Sequence, residues 1–211
     1  MKKSRQLIKG KRRLFAVCTS LLMAVVSSEA QTRLYAKFTN GPAGITYTGD
    51  VENPLYRGDT GWIELESLSF GVENSVTVGG GTTGGGGAGK ASFNDIELEK
   101  AVNSASAALF QTCVTGAHWE DVEIVLVNPG FSGSVSRPYA VMKIELKLVM
   151  VQSITSNASS NGELPIESVV LKYGAHRITF YQPDPETGQV SEVGMTEWSV
   201  VLNDSVFTVS P

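Results

Sequence analysis

The clearest chemical spacing in the chain is Gly84-x4-Gly89-Lys90, which matches the first seven positions of a phosphate-binding loop. The next position of such a loop carries a hydroxyl for the metal ion, and here it is Ala91. The loop must also run into a helix whose N-terminal amides face the phosphate. The residues that follow, SFNDIELEK, alternate apolar and charged and predict a strand. Both requirements fail, so nucleotide binding is rejected and no cofactor is expected.

The remaining chemistry is sparse. His118 and His176 are the two histidines; they lie far apart, neither has metal-ligand spacing to a partner, and a structural role is expected for each. Phe131-Ser132-Gly133-Ser134 sets a serine among small residues but lacks the strand-turn-helix setting of a nucleophile elbow. Acidic residues are frequent (Glu64 and Glu66, Glu97 and Glu99, Glu120, Asp121 and Glu123), but alternation along strands puts them on solvated faces and no pair stands out as a glycosidase couple. Asn157-Ala158-Ser159 and Asn203-Asp204-Ser205 match glycosylation sequons, relevant only in a eukaryotic source. No catalytic or metal-binding residue is assigned, and an enzyme is not expected.

What is left of the first motif is its glycine. Gly79, Gly80, Gly81, Gly84, Gly85, Gly86, Gly87 and Gly89 interrupt a run from Gly61 to Lys100 that is otherwise strand-like. Glycine loses more conformational freedom on folding than any other residue, so such a tract is costly to order. Either it is a mobile excursion between two strands, or something outside the subunit holds it.

The flanking pattern is that of a β protein. Arg33–Thr39, Trp62–Phe70, Ser92–Lys100, Trp119–Val127, Tyr139–Ile154 and Glu167–Tyr181 alternate apolar and polar residues. In the longest of these Met142, Ile144, Leu146, Leu148 and Met150 are expected to share one face. In Glu167–Tyr181 the apolar phase switches from Val169, Leu171, Tyr173 to Ile178, Phe180, which predicts a bulge at Gly174. Helical spacing occurs once after residue 30, over ASAALFQTCVTG, with Asn103 or Ser104 as N-cap and Gly116 as the stop. Thr155–Pro165 reads as a loop and Pro183–Gly188 as a turn, while Glu197–Val201 and Val206–Val209 are candidates to close the sheet. The expected fold is mostly β: a small antiparallel β-barrel or two packed sheets with one short flanking helix.

The first thirty residues read differently. Seven basic residues within Met1–Arg13 precede the uncharged apolar run Leu14–Val26, and Ser28-Glu29-Ala30 supplies small residues before a cleavage point between Ala30 and Gln31. This is the pattern of a secretory signal peptide, the alternative being an uncleaved N-terminal anchor. Residues 31–211 then form a single domain with 10 basic and 20 acidic residues, a net charge of −10. That balance argues against nucleic acid as a partner and against anionic membrane surfaces once the signal is removed. Cys113 is the only cysteine left, so no intrachain disulfide forms, and it is expected as a buried small hydrophobe.

Taken in order, these pieces resemble the Hcp family, the tube proteins of type VI secretion. The resemblance rests on Gly61-Trp62-Ile63-Glu64-Leu65 leading to Ser69-Phe70-Gly71-Val72-Glu73-Asn74, then a glycine-rich loop, a strand at Ala91-Ser92-Phe93, a helix at Ser104–Phe110, and Glu167–Pro183 ending in an aromatic-x-Pro turn. It spans Leu34 to Pro183. It implies a small β-barrel that assembles into hexameric rings, which stack into a hollow tube able to hold effector cargo and to meet tube-tip or sheath proteins. The glycine tract would then be the ring-stacking loop, and a neighbouring subunit would supply its ordering energy. The other reading is an exported Hcp-like binding module outside any contractile tube.

Overall fold

The computed structural model describes residues 31–75, 90–130, 137–160, 162 and 164–210. The elements run β1 (Arg33–Thr39), β2 (Trp62–Leu65), β3 (Ser67–Ser69), β4 (Val72–Asn74), β5 (Ala91–Phe93), β6 (Ile96–Ala101), α1 (Ser106–Thr115), β7 (His118–Asn128), β8 (Tyr139–Asn157), β9 (Ile166–Pro183) and β10 (Val190–Ser199). Eight strands form one antiparallel sheet in the order β2-β1-β7-β8-β9-β6-β3, with β10 on β9, and β4 pairs with β5 separately. The fold is mostly β with one short helix, as the alternation in the sequence predicts.

The sheet curls into a barrel-like wall for a topological reason. β2 and β3 stand at opposite ends of the strand order but are separated in sequence by Glu66 alone. Leu65 pairs with Leu34 of β1, whereas Ser67 pairs with Glu99 of β6, and Glu66 N–H donates to Glu99 O at 2.7 Å. The two edges must therefore meet. The continuous strand expected over Trp62–Phe70 is thus two strands that exchange partners at Glu66. Ser92–Lys100 divides similarly at Asn94-Asp95, because β5 belongs to the small hairpin and β6 to the main sheet.

The interior is built from Ala36, Phe38, Ile63, Leu65, Ile96, Leu98, Val122, Ile124, Ile144, Leu146, Val149, Val151, Val169 and Leu171. A second cluster lies on the opposite face, where Tyr35, Trp62, Val125 and Val127 are covered by Val51, Leu55 and Tyr56. Tyr56 stacks on Trp62 with ring centroids 5.3 Å apart. Helix α1 buries Ala108, Leu109 and Thr112, ends at Gly116 in the left-handed region (φ 66°), and leaves Phe110 and Val114 exposed. Its N-cap is Ala105 rather than Asn103 or Ser104; the Asn103 side chain instead accepts from Ala105 N–H at 3.1 Å. Cys113 is half-buried against the core, with Sγ 3.7 Å from Gln152 O, rather than buried.

The longest strands depart from simple alternation. In β8, Ile144 and Leu146 face the core, but so do Val149 and Val151, while Met150 is exposed. The expectation that Leu148 and Met150 continue the apolar face is overturned: Leu148 adopts φ +52°, a left-handed conformation that switches the phase. Opposite it, β9 switches phase at Gly174, yet the pairing register is the same on either side, Lys147 with Ala175 and Val149 with Tyr173. The shift in register lies at Val151/Ser153 instead. β8 runs on to Asn157, into the expected loop, and the expected turn after Pro183 is made by Asp184, whose Oδ1 accepts from the Glu186 and Thr187 amides.

The last strand is β10, beginning at Val190. Val206–Val209 is not a strand. Residues 200–210 instead fold back as a strap: the Val200 and Val201 amides donate to Gly174 O at 2.8 and 3.1 Å. Phe207 lies over the Arg177 guanidinium at 4.4 Å and the Lys147 ammonium at 5.1 Å.

Candidate functional site

Gly79, Gly80, Gly81, Gly84, Gly85, Gly86, Gly87 and Gly89 lie outside the described residues, as does Ala30; Gln31 is described, and exposed. The described residues fix where the glycine tract is rooted. β4 and β5 pair antiparallel with Val72 opposite Phe93, Glu73 opposite Ser92 and Asn74 opposite Ala91, so the chain leaves and re-enters at adjacent points. All of β4 is exposed, and the hairpin is hydrogen-bonded apart from the main sheet. Its base is tied by the Asn94 amide, which donates to Gly71 O at 2.9 Å. Local pairing thus brings together two stretches that the sequence separates by the tract.

One face of the sheet carries a transverse row of charge. Lys37 of β1 is opposite Glu123 of β7, Glu123 is opposite Glu145 of β8, Glu145 is opposite Arg177 of β9, and Arg177 is opposite Glu197 of β10. Ion pairs bind the row together: Lys37 with Asp59, Lys143 with Glu145 at 3.2 Å, Lys147 with Asp121 at 2.9 Å and Arg177 with Glu197 at 2.9 Å. Burial pushes the Glu123 carboxyl above the ordinary carboxylate range, against the pull of Lys143 and of a hydrogen bond from Tyr56, and the nearby Glu145 charge pushes the same way as burial. This row makes a polar face of the wall in which ion pairs offset the like charges of Glu123 and Glu145, which stand directly opposite each other. Glu64, Glu66, Glu97, Glu99 and Glu120 are exposed, as alternation predicts, while Asp121 and Glu123 are half-buried.

The histidines do not converge. His118 is exposed at the start of β7, and His176 is buried on β9 with β8 between them. Burial lowers the His176 pKa below its ordinary value. No cluster of three or more His, Cys, Asp or Glu residues with metal-binding geometry occurs among the described residues.

A polar cluster that local reading misses is buried where β6, β9 and α1 meet. Lys100, with no exposed surface, donates from Nζ to Glu167 Oε2 at 2.6 Å, Asn103 Oδ1 at 2.8 Å, Ser106 Oγ at 2.9 Å and Ala101 O at 3.1 Å. Ser106 Oγ and Ser156 Oγ donate to the same carboxylate at 2.7 and 3.1 Å. Burial would raise the Glu167 carboxyl, but the hydrogen bonds from Lys100 and Ser106 and the ammonium charge together hold it below the ordinary range. A serine beside a lysine can be a nucleophile and its base, but this ammonium is surrounded by acceptors and sealed from solvent, which makes the cluster a lock between elements. The sequence signal was phase: Lys100 follows Ile96 and Leu98, and Glu167 precedes Val169 and Leu171, each at a core-facing position.

The model of the type VI secretion system effector family Hcp matches residues 35–180. The chain belongs to the Hcp family. Hcp-like structures show the same fold. A structure of a type six secretion system protein aligns with a TM-score of 0.68 at 20% identity, covering 82% of this chain and 99% of that one. Hcp1 from Salmonella typhimurium aligns at 0.58 and 16% identity over 83% and 99%, and a type VI secretion system effector from Yersinia pestis at 0.55 and 16% over 79% and 99%. No curated protein matches the chain by sequence. The family model's match ends at residue 180, before β10 begins at Val190.

Proposed function

We propose that the chain is a ring-forming structural subunit of a type VI secretion tube, with residues 31–211 as one Hcp-like domain. The observation that carries this reading is the family match over a barrel-like wall whose β4–β5 hairpin stands apart from the sheet. Rings of six such subunits would stack through the Gly79–Gly89 segment, where a neighbour supplies the ordering energy that glycine demands. The partners are then further copies of the chain, effector cargo in the lumen, and tube-tip or sheath proteins. No catalytic step is assigned to it. Light scattering and native mass measurement of residues 31–211 test the reading: rings across a range of concentrations are expected, and a strict monomer overturns it.

The leader favours one second reading. A basic segment, a thirteen-residue apolar run and Ser28-Glu29-Ala30 together support export by the general route with cleavage between Ala30 and Gln31. The subunit would then act in the periplasm or outside the cell, as an Hcp-like binding module. N-terminal sequencing of the natively expressed protein separates the two: a start at Gln31 supports general export, and a start at Met1 supports the tube route.

A further inference from the structure

Beneath the β4–β5 hairpin is an open cavity of about 340 Å³, far larger than the packing voids of a protein interior. Ile144 and Ile178 make its floor, Phe70 and Val72 its exposed lip, and an aromatic box its sides. In that box Phe93 packs against His176 and Trp198 with ring centroids 5.1 and 6.1 Å apart, and Tyr173 meets His176 edge-on at 5.5 Å. The polar groups of the box are engaged or turned away. Tyr173 Oη donates to Asn94 O at 3.2 Å, Glu197 accepts from Arg177, and His176 Nδ1 and Trp198 Nε1 have no accessible surface. A cavity lined in this way takes apolar surface and rejects charge.

The other end of the subunit carries surface of matching chemistry. β6 begins at the cavity with Ile96 and leads from Ala101 into α1, while β8 has Ile144 at the cavity and Gln152 O beside Cys113 of the helix. Eight residues of strand separate the two ends by roughly 25 Å. Phe110 and Val114, one turn apart on the same face of α1, are 58% and 68% exposed. The helix and its flanks, Ala101–Trp119, are also the longest stretch of the chain without an acidic or basic residue. Asp50, which reaches the helix start, is engaged by Ser104.

Charge makes these two ends unusual. Residues 31–211 carry a net −10, so copies repel one another wherever acidic surfaces meet. Approach between copies costs least through surfaces that bear no net charge, and a convex apolar one and a concave apolar one lie at opposite ends of the same subunit. We propose that the cavity is a docking site for a second copy of this chain: Phe110 of one subunit, with Val114 beside it, inserts under the β4–β5 hairpin of the next. Burial of the exposed ring supplies the driving force. Because knob and hole are different surfaces, the contact is heterologous and repeats head to tail. It rests on the reading of the chain as a stacking ring subunit, and gives stacked copies an apolar contact in addition to the Gly79–Gly89 segment.

The test is particle mass and length of the full-length chain, read by sedimentation and electron microscopy. Phe110→Asp puts a charge on the knob, and Thr196→Trp plugs the mouth of the hole from an exposed position. Each should shorten stacks at least threefold while leaving the circular dichroism spectrum unchanged. Mixing the two variants should join their particles in pairs and no further, because an intact knob then meets an intact hole only once. If Thr196→Trp does not fold, Val72→Asp at the exposed lip takes its place. Wild-type rings that never stack, full-length stacks in Phe110→Asp, or a mixture that fails to pair would overturn this contact and leave the ring reading standing. A wild-type chain that stays monomeric overturns both.

Discussion

Leu148 of β8 stands directly opposite Gly174 of β9, and a Cβ added at Gly174 would lie 3.1 Å from Leu148 Cβ and 2.8 Å from Val209 Cγ1. Both strands switch faces at this point, so the barrel wall bends without a slip in register. The strap docks on the same point through Gly174 O. Gly174→Ala should therefore destabilise the fold by about 1–3 kcal/mol, the usual range for overpacking. Urea denaturation measures it. Adding Val209→Ala should recover part of the loss, since Val209 can yield and the Leu148 Cβ cannot. An unchanged midpoint for Gly174→Ala would refute the close approach.

The Lys100–Glu167 pair should behave as a buried lock. Glu167→Ala leaves an ammonium with no counter-charge in the interior and should cost about 3–5 kcal/mol. The double change Lys100→Met with Glu167→Leu should cost much less, because no charge remains to be desolvated. Equal losses in the single and double variants, read by thermal and urea unfolding, would rule out this account.

The same pair predicts an acid limb in stability. The Glu167 carboxyl is held below its ordinary value of 4.5 in the fold. Its contribution is therefore fully present above that value and is lost as pH falls through the folded pKa. Unfolding free energy measured between pH 6 and pH 3 should fall, and Glu167→Gln should flatten that part of the curve.

His176 adds a second limb nearer neutrality. Its pKa lies below the ordinary 6.5 because burial disfavours the imidazolium. The unfolded chain binds the extra proton first, so stability is full above about pH 6.5 and declines as pH falls towards the folded pKa. His176→Phe should remove this decline and leave the Glu167 limb in place. A decline of the same size in the variant would assign it elsewhere.

Removal of Gly79–Gly89 should spare the subunit and weaken stacking. The β4–β5 pairing closes the hairpin root within the subunit, so circular dichroism and the melting midpoint should stay close to those of the intact chain. Particle length by electron microscopy should shorten from stacked rings to single rings. Unfolding of the subunit on deletion would make the tract part of the fold.

Much of this was written locally. Alternation over Arg33–Thr39, Trp119–Val127 and Glu167–Tyr181 declares strands because a pleated chain sends neighbours to opposite faces. The helix and its stop at Gly116 follow from helical spacing and from glycine's ease in the left-handed region. The ordered run from Leu34 to Pro183 points to the family whose model matches the chain.

What local pattern could not carry is what depends on closing the sheet. The break at Glu66 arises because one stretch must serve both edges, a demand set by partners 25 to 32 residues away. Leu148 and Met150 continue the apolar alternation on paper, yet the bend opposite Gly174 hands the core to Val149 and Val151. Lys100 and Glu167 each look like a charge out of phase until the register of β6 on β9 sets them face to face. The aromatic box likewise needs β5, β9 and β10 together before Phe93, His176 and Trp198 become neighbours. Sequence alone determined most of the strands, the helix and the family, because periodicity and chain stereochemistry act over a few residues. Only the tertiary structure decided partner exchange, phase and cavity, because these arise from pairings between distant strands.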